Sequence, residues 1–203
     1  MTATTLETLD TSARELLFTE ARTANSFSDQ PVTDEELRGI WSLTRFAPTM
    51  ANSQPLRVLF VRTAEGKARL LPHLAEGNRA KAEAAPVVAV LAYDADFHEK
   101  FPITFPDRGE MMKDNFGSMP AEAREPISKY SAALATGVFF LAVRAHGLAA
   151  GPMAGFDAAG IDEEFFAGTP WKSHLVVNIG HPGDNPWFPR LPRLDVDDAV
   201  AWA

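Results

Sequence analysis

Three short polar clusters hold the residues best able to do chemistry in this chain. The first is Arg22-Thr23-Ala24-Asn25-Ser26-Phe27. Taken alone it reads equally well as the solvated end of a preceding helix. The second is Ala47-Pro48-Thr49-Met50-Ala51-Asn52-Ser53-Gln54-Pro55. Its prolines fix the backbone while small donors and amides stay free to point at something, a density that a plain connector does not need. The third is Gly151-Pro152-Met153-Ala154-Gly155-Phe156-Asp157. Its glycines permit close backbone approach to a planar ligand, and the N–H groups of Ala154 and Gly155 are free to point outward. The plainer alternative is a strand-to-helix turn capped by Asp157.

What is missing narrows the chemistry. The five histidines, His73, His98, His146, His174 and His181, show no metal-ligand spacing. The sequence has no GxSxG elbow, no GxxxxGK[ST] phosphate loop and no GxGxxG dinucleotide turn. Without cysteine there is no disulfide, thiolate nucleophile or Cys-ligated metal. Paired carboxylates such as Glu35-Glu36 and Glu163-Glu164 fall in expected first turns of helices, where the helix dipole favours them.

The elements that position these clusters follow from periodicity. A first helix is expected from Asp10 or Thr11 through Phe18. Thr33 to Glu36 forms a capping box, with Val32 and Leu37 as its staple, and the helix it opens runs to Pro48. Leu56–Val61 alternates as a strand, and the apolar run Val87–Tyr93 reads as a central one. Helices are expected near 65–74 and 78–84. Residues 94–120 scatter Phe97, Phe101, Phe105 and Phe116 among prolines and charges without a period, as in a lid or an ordered insertion. The longest helix spans about Glu125 to His146, greasy all round and stopped by Gly147, which suits the centre of a structure or a subunit interface. A short helix near 157–165, a strand at His174–Ile179 and a proline-rich tail complete an α+β pattern in one domain, residues 1–203.

Composition sets the outer bounds. A net charge of −8 argues against a nucleic-acid partner. The opening residues lack the basic and apolar regions of a secretory leader, and the run Ala132–Val143 is too short for a membrane span, so a cytoplasmic protein is expected.

In this order the clusters resemble the nitroreductase family of flavoproteins. The likeness covers nearly the whole chain: Ala21-Arg22-Thr23, the PTxANSQP pattern at 48–55, GPMAGFDAA at 151–159 and the tail NIGHPGDNPWFPRLPRL. Within the family the chain looks most like the malonic semialdehyde reductase subgroup, through EARTAN, EGNRAK, PVVAVLAYDADF, EEFFAGTPWKS and FPRLPRL. The resemblance implies a nitroreductase-like fold, with a mixed, mainly antiparallel sheet among helices in an intertwined homodimer. FMN would sit between the subunits. Arg22, with Thr23 and Ala24 beside it, matches the arginine that meets phosphate and flavin. Asn25 stands where many relatives have a Lys or Arg, so a cation there must come from elsewhere. Asn52 and Gln54 match amides that reach the ribityl chain and ring, and Arg190 and Arg193 match basic tail residues near the phosphate. Pro152, Met153, Ala154 and Gly155 match the segment against flavin N5, with Ala154 where nitroaromatic reducers often carry Glu.

The implied reaction needs no catalytic side chain. Hydride passes from NADH or NADPH to the flavin and on to a small acceptor in two half-reactions. By subgroup likeness the acceptor is 3-oxopropanoate, with Arg108 or Lys113 as a cation for its carboxylate. A broad reductase of nitroaromatics or quinones, with the phenylalanines as a stacking lid, and a flavin-binding module without turnover stay open beside it.

Overall fold

The computed structural model describes residues 6–203; the expectation that no secretory leader opens the chain falls partly on residues 1–5, outside the described residues. Among the described residues the strands β1 (Leu56–Val61), β2 (Val87–Asp94), β3 (Ala149–Met153) and β4 (Trp171–Gly180) form one sheet in the order β1-β2-β4-β3. Every neighbouring pair is antiparallel, so the expected parallel component of a mixed sheet is not there. β2 is buried at every position because both faces of the sheet are covered, which its unbroken apolar run requires. β3 was not expected, because its five residues include Gly151 and Pro152. Both are poor strand formers, but β3 is an edge strand, where a missing donor is tolerated.

Helices α1 (Thr11–Arg14), α2 (Asp34–Thr44), α3 (Ala64–Leu70) and α4 (Glu76–Ala84) precede and alternate with the first strands. α2 begins at the expected capping box: Glu36 N–H donates to Thr33 Oγ1 and Thr33 N–H donates to the Glu36 carboxylate. Those bonds hold the Glu36 carboxyl below its usual range.

The segment after β2 departs from the expectation of irregular chain. It is helical, with a short 3₁₀ turn at Phe97–Lys100, α5 (Phe101–Thr104) and α6 (Gly109–Gly117). Phe97, Phe101 and Phe116 pack on one another with ring centroids 5.4–5.9 Å apart. Three of the four phenylalanines are therefore the segment's own small core and not a stacking lid. Arg124 ties this unit down, donating to the carbonyls of Ala95, Phe116 and Met119 and to Asp96. Beneath it, Arg57 donates to the buried Asp94 carboxylate at 2.6 Å.

The long helix α7 (Ala121–Ala145) begins a turn before its expected start, with Pro126 tolerated in its second turn. It is long and apolar enough to cross a membrane by length and composition. One side, with Ala132, Ala135, Phe139 and Val143, packs with Ile40 of α2 on one face of the sheet, as a core helix does. The other face is covered by Leu70, Leu74, Ile161 and Phe166, the last two from α8 (Ala158–Phe166). A register shift at Leu91/Ala92 leaves His174 without a partner on β2. The bulge places its ring 6.3 Å from Tyr93 and its Nε2 3.3 Å from Thr136 Oγ1, where burial depresses its pKa to about 4. Beyond β4 the tail is largely irregular, with a single helical turn, α9 (Val196–Ala199).

Candidate functional site

The Arg22 segment is held like an extra strand against the free edge of β3. Ala24 N–H donates to Ala150 O at 2.9 Å. The tail then doubles back over the segment: Asn25 N–H donates to Pro186 O, Ser28 N–H to His181 O, and Ser26 Oγ to Asp184 O. Ala24 is consequently buried against the sheet. Arg22, Thr23 and Asn25 line the neighbouring groove of about 240 Å³ together with Phe188, Arg190 and Arg193 from the tail. An adjoining hollow of about 230 Å³ shares Arg22, Thr23 and Arg193 and adds Pro152, Phe140 and Arg144. The same Glu20 carboxylate oxygen lies 3.8 Å from both Arg22 Nη2 and Arg190 Nη2. Two guanidinium groups share that carboxylate, and with Arg193 and Arg144 four arginines line the two hollows, a concentration of positive charge inside an acidic protein. Sequence reading missed Arg144, whose Nε donates to Leu16 O at 2.6 Å, because it sits on α7 far along the chain.

Beyond Pro152, β3 ends. Met153 is buried and its sulfur accepts a long 3.7 Å bond from Asn178 Nδ2. Ala154 and Gly155 are exposed, and among the described residues neither N–H has a hydrogen-bond partner. The Gly155 carbonyl accepts from Ala75 N–H at 3.0 Å and Asn78 Nδ2 at 3.1 Å. The glycines of this segment are also required by the chain itself. A Cβ on Gly151 would lie 2.6 Å from Ala24 O, and one on Gly155 would lie 3.1 Å from Asn78 Nδ2. They admit the chain's own neighbours.

α4 supplies what position 25 lacks. Lys81 Nζ donates to Asn25 Oδ1 at 3.2 Å, so a cation stands at the end of the groove, delivered from 56 residues away. Lys81 and Asn78 belong to the EGNRAK motif and lie three residues apart on α4; Lys81 bonds the Asn25 side chain and Asn78 the Gly155 carbonyl.

The turn of residues 49–54 is a separate structure. Ala51, Asn52 and Gln54 all have positive φ, of 50°, 54° and 45°, a left-handed conformation that costs non-glycine residues of order 1–3 kcal/mol each. It is held by Thr49 Oγ1 accepting from Gln54 N–H at 3.1 Å and Ser131 Oγ accepting from Met50 N–H at 3.3 Å. Asn52 Nδ2 donates to Thr104 O at 2.7 Å, and Gln54 Nε2 donates to Asn52 Oδ1 at 3.0 Å. Ser53 Oγ is buried with no partner among the described residues. Gln54 lines a hollow with Trp41, Thr49 and Ala135 and does not face the arginine groove. The structure thus gathers Arg22, Thr23, Asn25, Pro152, Arg190 and Arg193, and places Asn52 and Gln54 elsewhere. Arg108 and Lys113 join neither group. Lys113 Nζ is 2.7 Å from the Glu99 carboxylate, and Arg108 is exposed just ahead of α6.

Among the described residues no cluster of His, Asp or Glu is arranged to hold a metal ion. The donor set instead suits a ligand with an anionic tail and a hydrogen-bonding ring. The model of the nitroreductase family matches residues 19–181. A Streptomyces coelicolor protein that carries the name NADH dehydrogenase/NAD(P)H nitroreductase is 63% identical over 187 residues, 92% of each chain. A like-named protein of Leptothrix cholodnii is 50% identical over 193 residues, 95% of this chain and 97% of its own. A crystal structure from Exiguobacterium sibiricum, described as a nitroreductase in complex with FMN, superposes with a TM-score of 0.82 at 24% identity, covering 98% of this chain and 100% of that one.

Proposed function

Because the chain belongs to the nitroreductase family, we propose that it is an FMN-dependent NAD(P)H oxidoreductase whose cofactor lies in the arginine groove. One observation carries the reading. Guanidinium groups of Arg22, Arg190 and Arg193 meet on a groove beside Pro152, and the strand leaving that groove ends in two unbonded N–H groups, those of Ala154 and Gly155.

The residues present fit FMN at both ends. The arginines neutralise a phosphate dianion with forked, charge-assisted hydrogen bonds. The Ala154 and Gly155 N–H groups offer donors to a ring nitrogen, and Lys81, through Asn25, sets a positive charge beside the groove that favours electron gain by a ring lying there. When bound, FMN supplies the hydride carrier between NADH or NADPH and the acceptor. The chain's own part is to bind, orient and polarise; no side-chain nucleophile or base is called for. Donor and acceptor use one place in turn, so initial rates should give parallel double-reciprocal plots.

A second copy completes the site. In one chain the Gln54 turn and the arginine groove do not meet, so we place the turn of a partner subunit at the groove. The exposed outer strip of α7, with Leu134 and Gly137, and the exposed tail residues Phe188, Leu191, Leu194 and Trp202 are apolar surface that a homodimer would cover. A monomer in sedimentation equilibrium at micromolar concentration would remove this part.

For the acceptor, α5 and its flanks favour planar nitro compounds or quinones. Ile103 and Met111 are exposed and apolar, while Lys113 is already paired with Glu99. The 3-oxopropanoate reading rests on the sequence likeness and leaves Arg108 as its cation. Relative kcat/KM for 3-oxopropanoate and a quinone, with NADPH as donor, separates the two. The central test is an FMN titration followed by anaerobic NADPH. Binding with bleaching, and recovery on adding an acceptor, supports the enzyme. Binding without bleaching leaves a flavin-binding module, and no binding removes the proposal.

A further inference from the structure

The arginine groove carries an anion of its own. Glu20 directly follows the single-turn π-helix Glu15–Thr19, and one oxygen of its carboxylate stands 3.8 Å from Nη2 of both Arg22 and Arg190. Those arginines come from opposite ends of the chain and converge on that oxygen. The same charge reaches Arg144, where burial works against the guanidinium charge and Glu20 supports it. The contacts are loose. At 3.8 Å the carboxylate is beyond hydrogen-bond reach of either guanidinium, and its side chain is 63% exposed. A guanidinium bonded to phosphate closes to about 2.7–2.9 Å. The two arginines are therefore shared by a monoanion that a better-fitting one can replace.

We propose that Glu20 is an internal counter-anion of the arginine groove, which gives up its place between Arg22 and Arg190 to a phosphate monoester and limits how tightly that phosphate is held. The inference deepens the FMN reading and rests on it for the identity of the ligand. The sign of the Glu20 charge works both ways. Before a ligand arrives, it offsets repulsion between guanidinium groups gathered in neighbouring hollows. Against a phosphate it repels: like unit charges about 5–6 Å apart in water cost about threefold in affinity. A dianion feels that cost twice, to about tenfold, and an exposed side chain that swings outward relieves part of it. A ligand without a phosphate feels none. Glu20 thus sets how much the groove favours the charged tail of a flavin over the rest of the molecule.

Two variants test this. Glu20→Gln removes the charge at constant size, and Glu20→Ala removes it without leaving an amide that could itself bond phosphate. At ~20 mM salt both should bind FMN about three- to tenfold tighter than wild type, and the gain should fall to about twofold or less at ~0.5 M. Riboflavin, with the same ring and chain but no phosphate, should bind wild type and both variants within about twofold of one another. Inorganic phosphate alone, at matched ionic strength, should raise the melting temperature of both variants more than that of wild type. Four results overturn the proposal. FMN bound more weakly by both variants would make Glu20 an organiser of the arginines. FMN affinity unchanged at low salt would place the carboxylate too far away to matter. Riboflavin gaining as much as FMN would put the effect away from the phosphate, and failure of both variants to fold would make Glu20 a structural tie. If the wild-type protein takes up no FMN, the cofactor reading fails by itself. The melting shift with inorganic phosphate then decides the role of Glu20: a larger shift in both variants supports it, and an equal one removes it.

Discussion

Replacing Gly151 with Ala should detach the arginine segment without touching an arginine. A Cβ at position 151 would lie 2.6 Å from the Ala24 carbonyl oxygen, about 0.8 Å inside ordinary van der Waals contact. The oxygen belongs to backbone and the Cβ is fixed rigidly to backbone, so no flexible side chain can absorb the clash. Either β3 or the segment carrying Arg22 must move, and the 2.9 Å bond from Ala24 N–H to Ala150 O is strained or lost. Overpacking of this kind costs about 1–3 kcal/mol, and the lost bond adds about 1 kcal/mol. For a chain of this size, melting should fall by roughly 4–16 °C. Arg22 rides on the moved segment. Losing its charge-assisted contact, worth about 1.5–3 kcal/mol, should weaken FMN by about 10- to 100-fold. The assay is quenching of FMN fluorescence on titration, with melting of the ligand-free protein measured separately. Gly77→Ala is the control, because a Cβ there meets nothing within 4 Å. It should leave FMN binding alone and stabilise slightly, by about 0.5–1 kcal/mol. If Gly151→Ala melts and binds FMN as the wild type does, the close approach of Ala24 is not what sets the groove.

Three further predictions follow from other parts of the fold. Lys81→Met removes the cation bonded to Asn25, so the bound flavin's two-electron midpoint potential should drop by about 30–60 mV, read by anaerobic spectroelectrochemical titration; an unchanged potential would place the charge away from the ring. His174 is neutral in the fold with a pKa depressed by burial to about 4, whereas the unfolded chain titrates near 6.5. The unfolded state therefore binds a proton that the native state refuses as pH falls from about 6.5 to about 4, and stability should drop by up to about 3 kcal/mol across that window and level off below it. Urea midpoints at pH 7 and pH 4.5 should show this loss in wild type and a smaller one in His174→Gln. Asp94→Ala leaves the Arg57 guanidinium, only 19% exposed, without its partner, and should cost about 3 kcal/mol by urea unfolding; a loss below about 1 kcal/mol would mean that water already screens the pair.

Local rules settled a large part of this protein before any tertiary contact. The Thr33–Glu36 box closes within four residues, so its two bonds were legible in the sequence and both are present. β1 has its expected ends, and β2 extends only to Asp94, because a period-2 or wholly apolar run admits few other solutions. The three polar clusters were visible too, since their residue types are unusual for connectors. Local rules failed where an element is stabilised by distant partners. The segment after Asp94 shows no period because its helices are too short to carry one, and three phenylalanine rings that meet only after folding hold them together. Nor could spacing reveal that Gly151 makes room for Ala24, or that Lys81 reaches Asn25 and Arg144 reaches the Arg22 groove. The sequence determined which groups were available to hold an anion and a ring. Tertiary structure decided which of them share a groove, because a site assembled from a sheet edge, a helix and a returning tail exists only once the sheet between them has formed.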